Sequence, residues 1–218
     1  MSPRAERKFD AVLFDLLTAL LDSWALWNLV AASPEDGREW RAAYLRRTYE
    51  AGAYRTYETL VAEAAAEVGL SPTLAARLAA RYGELKQWPE VHEVLGALRR
   101  EGMALGIVTN CSEELAAKAV ACTGVNFDVA VTAERAGFYK PDARPYQMAL
   151  DELGGVPGRC LFVAGSVYDL FGTSKVGLPT YWHDRIGMAP PFNAPEPIAH
   201  HRSLYPLLGL VLGRAAEQ

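Results

Sequence analysis

AVLFD, at residues 11–15, is a run of four apolar residues that ends in a carboxylate. A continuous apolar run of this length is typical of a strand buried on both faces, as in a parallel sheet. Similar runs predict four more strands, the last of them the weakest: ALGIVT at 104–109, VAVT at 129–132, CLFVA at 160–164 and TYWH at 180–183.

Helical patterns alternate with these runs, at residues 90–100, 113–122 and 145–153. Strands that alternate with helices predict right-handed βαβ units and a doubly wound parallel sheet, which is an α/β fold. Ligands of such sheets bind beyond the carboxyl ends of the strands. Asp15, the pair Thr109 and Asn110, and the residues after Ala164 all follow predicted strands, so we expect a site there.

Residues 23–88 break this alternation, and their pattern is helical throughout. Ser71 and Pro72 predict a helix start, and Leu74 and Leu78 lie one turn apart on one face of that helix. An insertion between the first strand and the rest of the sheet is expected to cover the strand ends as a cap. The expected organisation is therefore core at 1–22, helical cap at 23–88 and core at 89–218.

The composition excludes several classes of protein. With 218 residues, 50% hydrophobic and 22% charged, the chain is typical of a globular domain with a small insertion. A net charge of -4, without a long run of Lys and Arg, argues against nucleic acid as a partner. There is no secretory signal pattern and no run long enough to span a membrane. Three cysteines without CxxC spacing disfavour a disulfide framework or a zinc site, so we expect a cytoplasmic protein.

Four short motifs follow one another at predicted strand ends: FDLLT at 14–18, VTN at 108–110, YKPD at 139–142 and VAGSVYD at 163–169. In their order and spacing they resemble the haloacid dehalogenase superfamily. The longer segments at 140–150 and 167–185 resemble the (S)-2-haloacid dehalogenase branch most closely. The resemblance implies a Rossmann-like core with an inserted helical cap, a hydrolase with a small-molecule substrate, and a homodimer.

Asp15 is the predicted nucleophile. A carboxylate at the end of a buried strand is costly to desolvate unless it is paired, which favours a functional role over a turn or helix cap. It would attack the substrate to form an ester that water then hydrolyses. The phosphatases of the superfamily carry a second Asp two positions later, which protonates the leaving oxygen, and here that position is Leu17. A halide ion leaves readily without an acid, whereas an alkoxide does not.

The fourth motif also departs from the phosphatase pattern. One of the two acids that hold magnesium in those enzymes falls on Ala164, so Asp15 and Asp169 are the remaining carboxylates. We therefore expect a metal-independent reaction with no cofactor. His183, His200 and His201 are expected to be structural or surface residues, because adjacent residues of a strand point to opposite faces and cannot share one ion.

The resemblance also implies roles for residues beyond the nucleophile. Lys140 would neutralise the nucleophile and the carboxylate of the substrate. Asp169 would help to position the hydrolytic water. Arg41, which follows Trp40, would receive the departing halide.

The remaining implied residues bind the substrate. The hydroxyl of Thr109 and the backbone N–H groups near Asn110 would bind a carboxylate oxygen. Three more side chains would line the pocket: Tyr146, Ser166 and Tyr168.

Some positions differ from the dehalogenase branch. Leu17 replaces a Tyr, Ala164 replaces a Ser, and Ala19 stands where the branch has a Thr. Thr18 either substitutes for that hydroxyl from one place earlier, or its hydrogen bond has been lost. Three functions stay open: dehalogenation of short 2-haloacids, which is favoured; a magnesium-dependent phosphatase or phosphonate hydrolase; and a catalytically idle binding module.

Overall fold

A computed structural model describes residues 7–213, which form a parallel sheet flanked by helices. The strand order is β3-β2-β1-β4-β5-β6. The strands are β1 Ala11–Phe14, β2 Ala104–Thr109, β3 Val129–Thr132, β4 Cys160–Ala164, β5 Thr180–His183 and β6 Ala199–His201. The five predicted strands coincide with β1 to β5, and the predicted α/β fold class is confirmed. The short β6, which follows the proline-rich segment at 189–197, was not among the predicted strands.

The first strand lies at the centre of the sheet because it pairs with β2 on one side and β4 on the other. All four of its residues are buried, as expected of a strand covered on both faces. The chain adds β2 and β3 on one side of β1, then crosses to add β4, β5 and β6 on the other. This reversal is the topological switch point where such sheets bind ligands, and Asp15 follows β1 directly at that edge.

The helices of the core follow the predicted alternation. Gly102, just after the end of the first of them, has the left-handed φ of +73° that is typical of a helix C-terminus. The core helices are α5 Val91–Arg100, α6 Glu113–Ala121, α7 Ala133–Ala136, α8 Ala143–Leu153, α9 Asp169–Lys175 and α10 Tyr205–Leu212.

Four helices lie between β1 and α5, and we call them the helical segment. They are α1 Ser23–Ala31, α2 Pro34–Ala51, α3 Tyr57–Glu67 and α4 Leu74–Ala80. The predicted helix start at Ser71 and Pro72 is wrong. The hydroxyl of Ser71 accepts from the N–H of Thr73, and this local turn delays the helix until Leu74. Leu74 and Leu78 are both buried, as predicted.

The helical segment leaves and rejoins the core at one place. The N–H of Asp22 donates to the carbonyl of Lys86 at 2.7 Å, and the N–H of Trp88 donates to the carbonyl of Leu20 at 3.0 Å. The two segments that connect the helical segment to the core therefore pair with each other directly after the loop that carries Asp15. No helix within residues 7–213 combines the length and the hydropathy needed to cross a membrane.

Gly106 allows β1, β2 and β3 to pack closely. A Cβ atom there would lie 2.4 Å from Val129 Cγ1 and 2.6 Å from Leu13 Cδ2. We expect Gly106→Ala to lower the free energy of unfolding by about 1–3 kcal/mol, because the methyl group overpacks the core. Urea denaturation measures this, with Gly83→Ala as a control, since a Cβ there meets no atom within 4 Å. Equal stability of the two variants would contradict this packing.

Candidate active site

A buried lysine joins two carboxylates at the carboxyl edge of the sheet. Lys140 Nζ lies 2.8 Å from Asp15 Oδ1 and 2.9 Å from Asp169 Oδ1, and all three side chains are buried. Asp15 follows β1, Lys140 lies in the turn before α8, and Asp169 begins α9. Because parallel strands end at the same edge, the topology brings together residues that are far apart in the chain.

The second oxygen of Asp15 is held by the loop that follows it. Asp15 Oδ2 accepts from the Thr18 N–H at 2.8 Å, the Thr18 hydroxyl at 2.5 Å and the Ala19 N–H at 3.2 Å. The hydroxyl of Thr18 thus provides the hydrogen bond that the substitution of Ala19 had put in question. The carboxylate is fixed at both oxygens, which compensates for its burial.

Gly165 allows the loop after β4 to touch the loop after β1. A Cβ at this position would lie 2.2 Å from the backbone nitrogen of Ala19 and 2.3 Å from the carbonyl carbon of Thr18. No other residue type fits without displacing the backbone that holds Asp15. The close contact between these two loops therefore explains why the fourth motif has a glycine at this position.

The two carboxylates differ in their pKa values although both contact Lys140. Burial would raise the pKa of Asp15, but the Lys140 ammonium and the Thr18 donors outweigh it and hold this pKa below its ordinary value. Burial raises the pKa of Asp169, and the charge of Asp15 adds to that effect, so this pKa stays above its ordinary value despite Lys140. Burial would lower the pKa of Lys140, but the two carboxylates outweigh it and the pKa is raised. A carboxylate with a lowered pKa beside one with a raised pKa is an arrangement suited to a two-step hydrolysis.

Asn110 orients the lysine through its backbone. Its Nδ2 donates to the Lys140 carbonyl at 3.0 Å, and its Oδ1 accepts from the Lys140 N–H at 2.7 Å. The carbonyl of Asn110 accepts from the hydroxyl of Tyr44, on α2, at 2.6 Å. The amide of Asn110 is thus engaged by the protein itself, although the residue also lines the cavity.

Two predicted substrate-binding residues lie outside the cavity lining. The Thr109 hydroxyl lies 3.6 Å from the sulfur of Cys111, its neighbour in the strand-end turn. The Tyr146 hydroxyl donates to Asp169 Oδ1 at 2.7 Å, and Gly172 leaves room for its ring, since a Cβ there would lie 2.2 Å from the ring. Both side chains are buried and have partners within the protein, and their direct contacts with substrate stay predictions.

A small cavity of about 40 Å³ opens beside Asp15. Ser166 and Tyr168 line it from the loop after β4, and Leu17 lines it from the loop after β1. The Ser166 hydroxyl accepts from the Tyr168 N–H at 3.3 Å. A cavity of this size has room for only a few water molecules or for a very small ligand.

Arg41 lies in the wall of this cavity and is buried. Its Nε and Nη1 atoms have no hydrogen-bond partner in the described part of the chain. The guanidinium lies over the rings of Trp24 at 5.0 Å and Trp27 at 5.2 Å. A buried cation with unsatisfied donors is costly, and an anion in the cavity would satisfy it.

Four further lining residues come from α2 and were missed in the sequence. With Arg41 they repeat at helical spacing along one face, and this periodicity could have found them. They are Tyr44, Leu45, Thr48 and Tyr49.

The donor set fits magnesium poorly. Within residues 7–213 no three His, Cys, Asp or Glu side chains are grouped as metal ligands. Among the described lining residues, Asp15 and Asp169 are the only carboxylates, and both contact the Lys140 ammonium. Ala164 supplies no third side-chain oxygen. A dication bound by these carboxylates would lie close to the positive charge of Lys140.

The histidines do not form a cluster either. His183 is buried at the end of β5. His200 stacks on Trp182 and His201 stacks on Tyr181, so the two histidines lie on opposite faces of the sheet.

Residues 9–177 match the family model of the haloacid dehalogenase-like hydrolases. The chain belongs to this family. The predicted superfamily and the predicted hydrolase class are thereby confirmed.

Several known proteins that this haloacid dehalogenase-like hydrolase resembles are named as dehalogenases. The (S)-2-haloacid dehalogenase 4A of Burkholderia cepacia is 32% identical over 64% of this chain and 63% of its own length, which is less than two thirds of that relative. Haloacetate dehalogenase H-2 of Moraxella sp. (strain B) is 28% identical over 84% of this chain and 89% of its own. A crystal structure of a dehalogenase with an intermediate complex superposes with a TM-score of 0.81, at 28% identity over 98% of this chain and 100% of that one.

We expect Lys140→Met to lower the free energy of unfolding at pH 7 by about 3–5 kcal/mol, because it leaves two buried carboxylates without their cation. The deficit should shrink as the pH falls. In the variant both unpaired carboxylates bind protons more tightly when folded, so acid stabilises it. In the wild type only Asp169 has a raised pKa, and the lowered pKa of Asp15 acts in the opposite direction, so acid stabilises the wild type less. Urea denaturation at pH 7 and pH 4 measures both effects.

Lys118→Met is the control for this experiment. Lys118 forms an exposed pair with Glu114, so its loss should leave the stability nearly unchanged. A deficit of Lys140→Met that stays constant with pH would contradict the proposed charge balance.

Proposed function

We propose that this hydrolase cleaves the carbon–halogen bond of short 2-haloacids through an ester on Asp15, without a metal. The observation that carries the proposal is the ionised, doubly held Asp15 facing a cavity in which the neighbouring position, Leu17, offers no acid. A halide needs no proton to leave, so a cavity without an acid at Leu17 suits cleavage of a carbon–halogen bond better than cleavage of a phosphate ester. The dehalogenase names of the relatives support the same reaction.

In the first step, an oxygen of Asp15 attacks the α-carbon of the acid. The new C–O bond forms as the C–X bond breaks, and the halide leaves with the electron pair. Arg41 Nε and Nη1, which have no hydrogen-bond partner in the described residues, would donate to that halide. Lys140 stays charged and holds the nucleophile in place.

In the second step, Asp169 takes a proton from a water molecule that attacks the ester carbonyl of Asp15. The bond between the Asp15 carbonyl carbon and the substrate oxygen then breaks, and the proton taken up by Asp169 passes to that oxygen, so the 2-hydroxyacid leaves. The second proton of the water is released to solvent, and the carboxylate of Asp15 is regenerated. The raised pKa of Asp169 makes it the better base of the two carboxylates, and Tyr146 and Lys140 fix its orientation.

The substrate carboxylate would bind on the side of the cavity formed by Asn110, Ser166 and Tyr168. There it meets the positive charges of Lys140 and Arg41. We assign Thr109 a supporting role in the strand-end turn, since its hydroxyl is turned towards Cys111.

We also propose that the helical segment, with boundaries near residues 23 and 88, acts as a cap that supplies Arg41 and completes the cavity. A cytoplasmic location is supported by the free thiols of Cys111, Cys122 and Cys160. A homodimer is implied by the resemblance to the dehalogenase branch, and analytical ultracentrifugation would test it.

The reaction itself is tested by halide release. We expect chloride or fluoride release from 2-chloro- or 2-fluoroacids in the presence of EDTA, and a loss of at least about a thousandfold in Asp15→Asn, which lacks the nucleophile. Release no faster than in Asp15→Asn would refute the proposal. Turnover of p-nitrophenyl phosphate that EDTA abolishes would indicate the phosphatase alternative, and no turnover of either substrate would indicate a binding module.

The two pKa shifts predict which step fails in acid. As the pH falls, Asp169 gains a proton before Asp15 does, because the pKa of Asp169 is raised and that of Asp15 is lowered. We therefore expect about one halide per active site in a burst, followed by accumulation of the ester, which mass spectrometry detects after acid quenching. Asp169→Asn should accumulate the ester at pH 7 as well.

Asp151→Asn, on the exposed surface of α8, is the control and should turn over normally. If Asp169→Asn hydrolysed the ester at the wild-type rate, the role of Asp169 as base would be wrong.

A further inference from the structure

The loop that holds the nucleophile is itself held from its opposite side. The peptide between Thr18 and Ala19 donates its N–H to Asp15 Oδ2 at 3.2 Å. The carbonyl of the same peptide accepts from the indole nitrogen of Trp88 at 3.0 Å. Since the N–H and C=O of a trans peptide point in opposite directions, this peptide lies between the nucleophile and the indole.

The next carbonyl of the loop has a similar partner. The Ala19 carbonyl accepts from Nδ1 of His183 at 2.9 Å. A carbonyl can only accept, so Nδ1 carries the proton. The imidazole is completely buried, and burial lowers its pKa, which keeps it neutral. Glu90 faces its other nitrogen at 3.6 Å.

Both ring donors are fixed in place. Trp88 is held by its backbone pairing with Leu20, and the guanidinium of Arg185 lies 4.9 Å over its ring. His183 belongs to β5, which pairs with strands on both sides. Gly165 packs against the third side of the Thr18–Ala19 peptide. The loop is therefore confined by groups from three separate parts of the chain.

We propose that Trp88 and His183 are positioning residues for the nucleophile, which hold the carbonyls of Thr18 and Ala19 so that this loop fixes Asp15 Oδ2. Hydrogen bonds in a chain polarise one another, so the indole also strengthens the bond from the Ala19 N–H to Asp15. Trp88 lies where the chain returns from the helical segment to the core. Its hydrogen bond to Thr18 therefore connects this junction to the loop that holds the nucleophile. The inference rests on the proposed role of Asp15.

The first test removes the indole N–H with Trp88→Phe, which keeps an aromatic ring under Arg185. Trp182→Phe is the matched control, since it removes a buried indole N–H that has no hydrogen-bond partner in the described residues. In Trp88→Phe we expect ester formation, measured by rapid quench, to slow by about threefold to tenfold with KM unchanged, because one hydrogen bond to the loop is lost. The Ala19 backbone amide should also exchange faster with deuterated water.

The second test uses a rescue at position 183. His183→Leu removes the donor to Ala19, whereas His183→Asn keeps a side-chain N–H near the position of Nδ1. We expect His183→Leu to show the slower ester formation and the faster Ala19 exchange, and His183→Asn to restore a large part of both. A residue that only fills space would not show this rescue.

The outcomes separate this inference from the proposed function. If the wild type forms no ester with any 2-haloacid, the proposed function fails, and the exchange of the Ala19 amide alone decides the positioning role. If Trp88→Phe matches Trp182→Phe, and His183→Leu matches His183→Asn, in both measurements, the inference is overturned. If Trp88→Phe does not fold, the His183 pair decides.

Discussion

An ammonium group between two buried carboxylates holds this site together. Lys140 contacts Asp15 and Asp169 at 2.8 and 2.9 Å, in surroundings where an unpaired charge would be too costly to keep. Three strand-end segments must therefore meet in one geometry for any of the three charges to remain buried. The same contact sets the chemistry, because the shared cation and the unequal hydrogen bonding leave Asp15 with a lowered pKa and Asp169 with a raised one.

The difference between the two carboxylates comes from their other partners. Asp15 receives three donors from its own loop, at Thr18 and Ala19, whereas Asp169 receives the hydroxyl of Tyr146 and the repulsion of Asp15. One group is thereby suited to attack and the other to accept a proton. Neither role requires a metal when the leaving group is a halide, since no oxygen has to be protonated as it departs.

Polar contacts join the helical segment to the core next to Lys140 and Asp15. Tyr44 on α2 donates to the carbonyl of Asn110, whose amide in turn holds the backbone of Lys140. On the other side, Trp88 connects the end of the segment to the loop that holds Asp15. Arg41 lines the cavity from α2, so Arg41 and Asp15 belong to different parts of the chain and are brought together only by this packing.

The sequence by itself determined the five main strands, the position of the helical segment and the identity of Asp15, Lys140 and Asp169. These are local signals, since apolar runs and short motifs are read within a few residues of the chain. It did not determine which partners the side chains of Thr109 and Tyr146 would have. The Thr109 hydroxyl lies beside the sulfur of Cys111, and the Tyr146 hydroxyl donates to Asp169. Nor did the sequence reveal that the hydroxyl of Thr18 and the indole of Trp88 lie on opposite sides of one loop. Hydrogen-bond partners across the sheet edge depend on how separate strands and helices pack, and that is decided only by the tertiary structure.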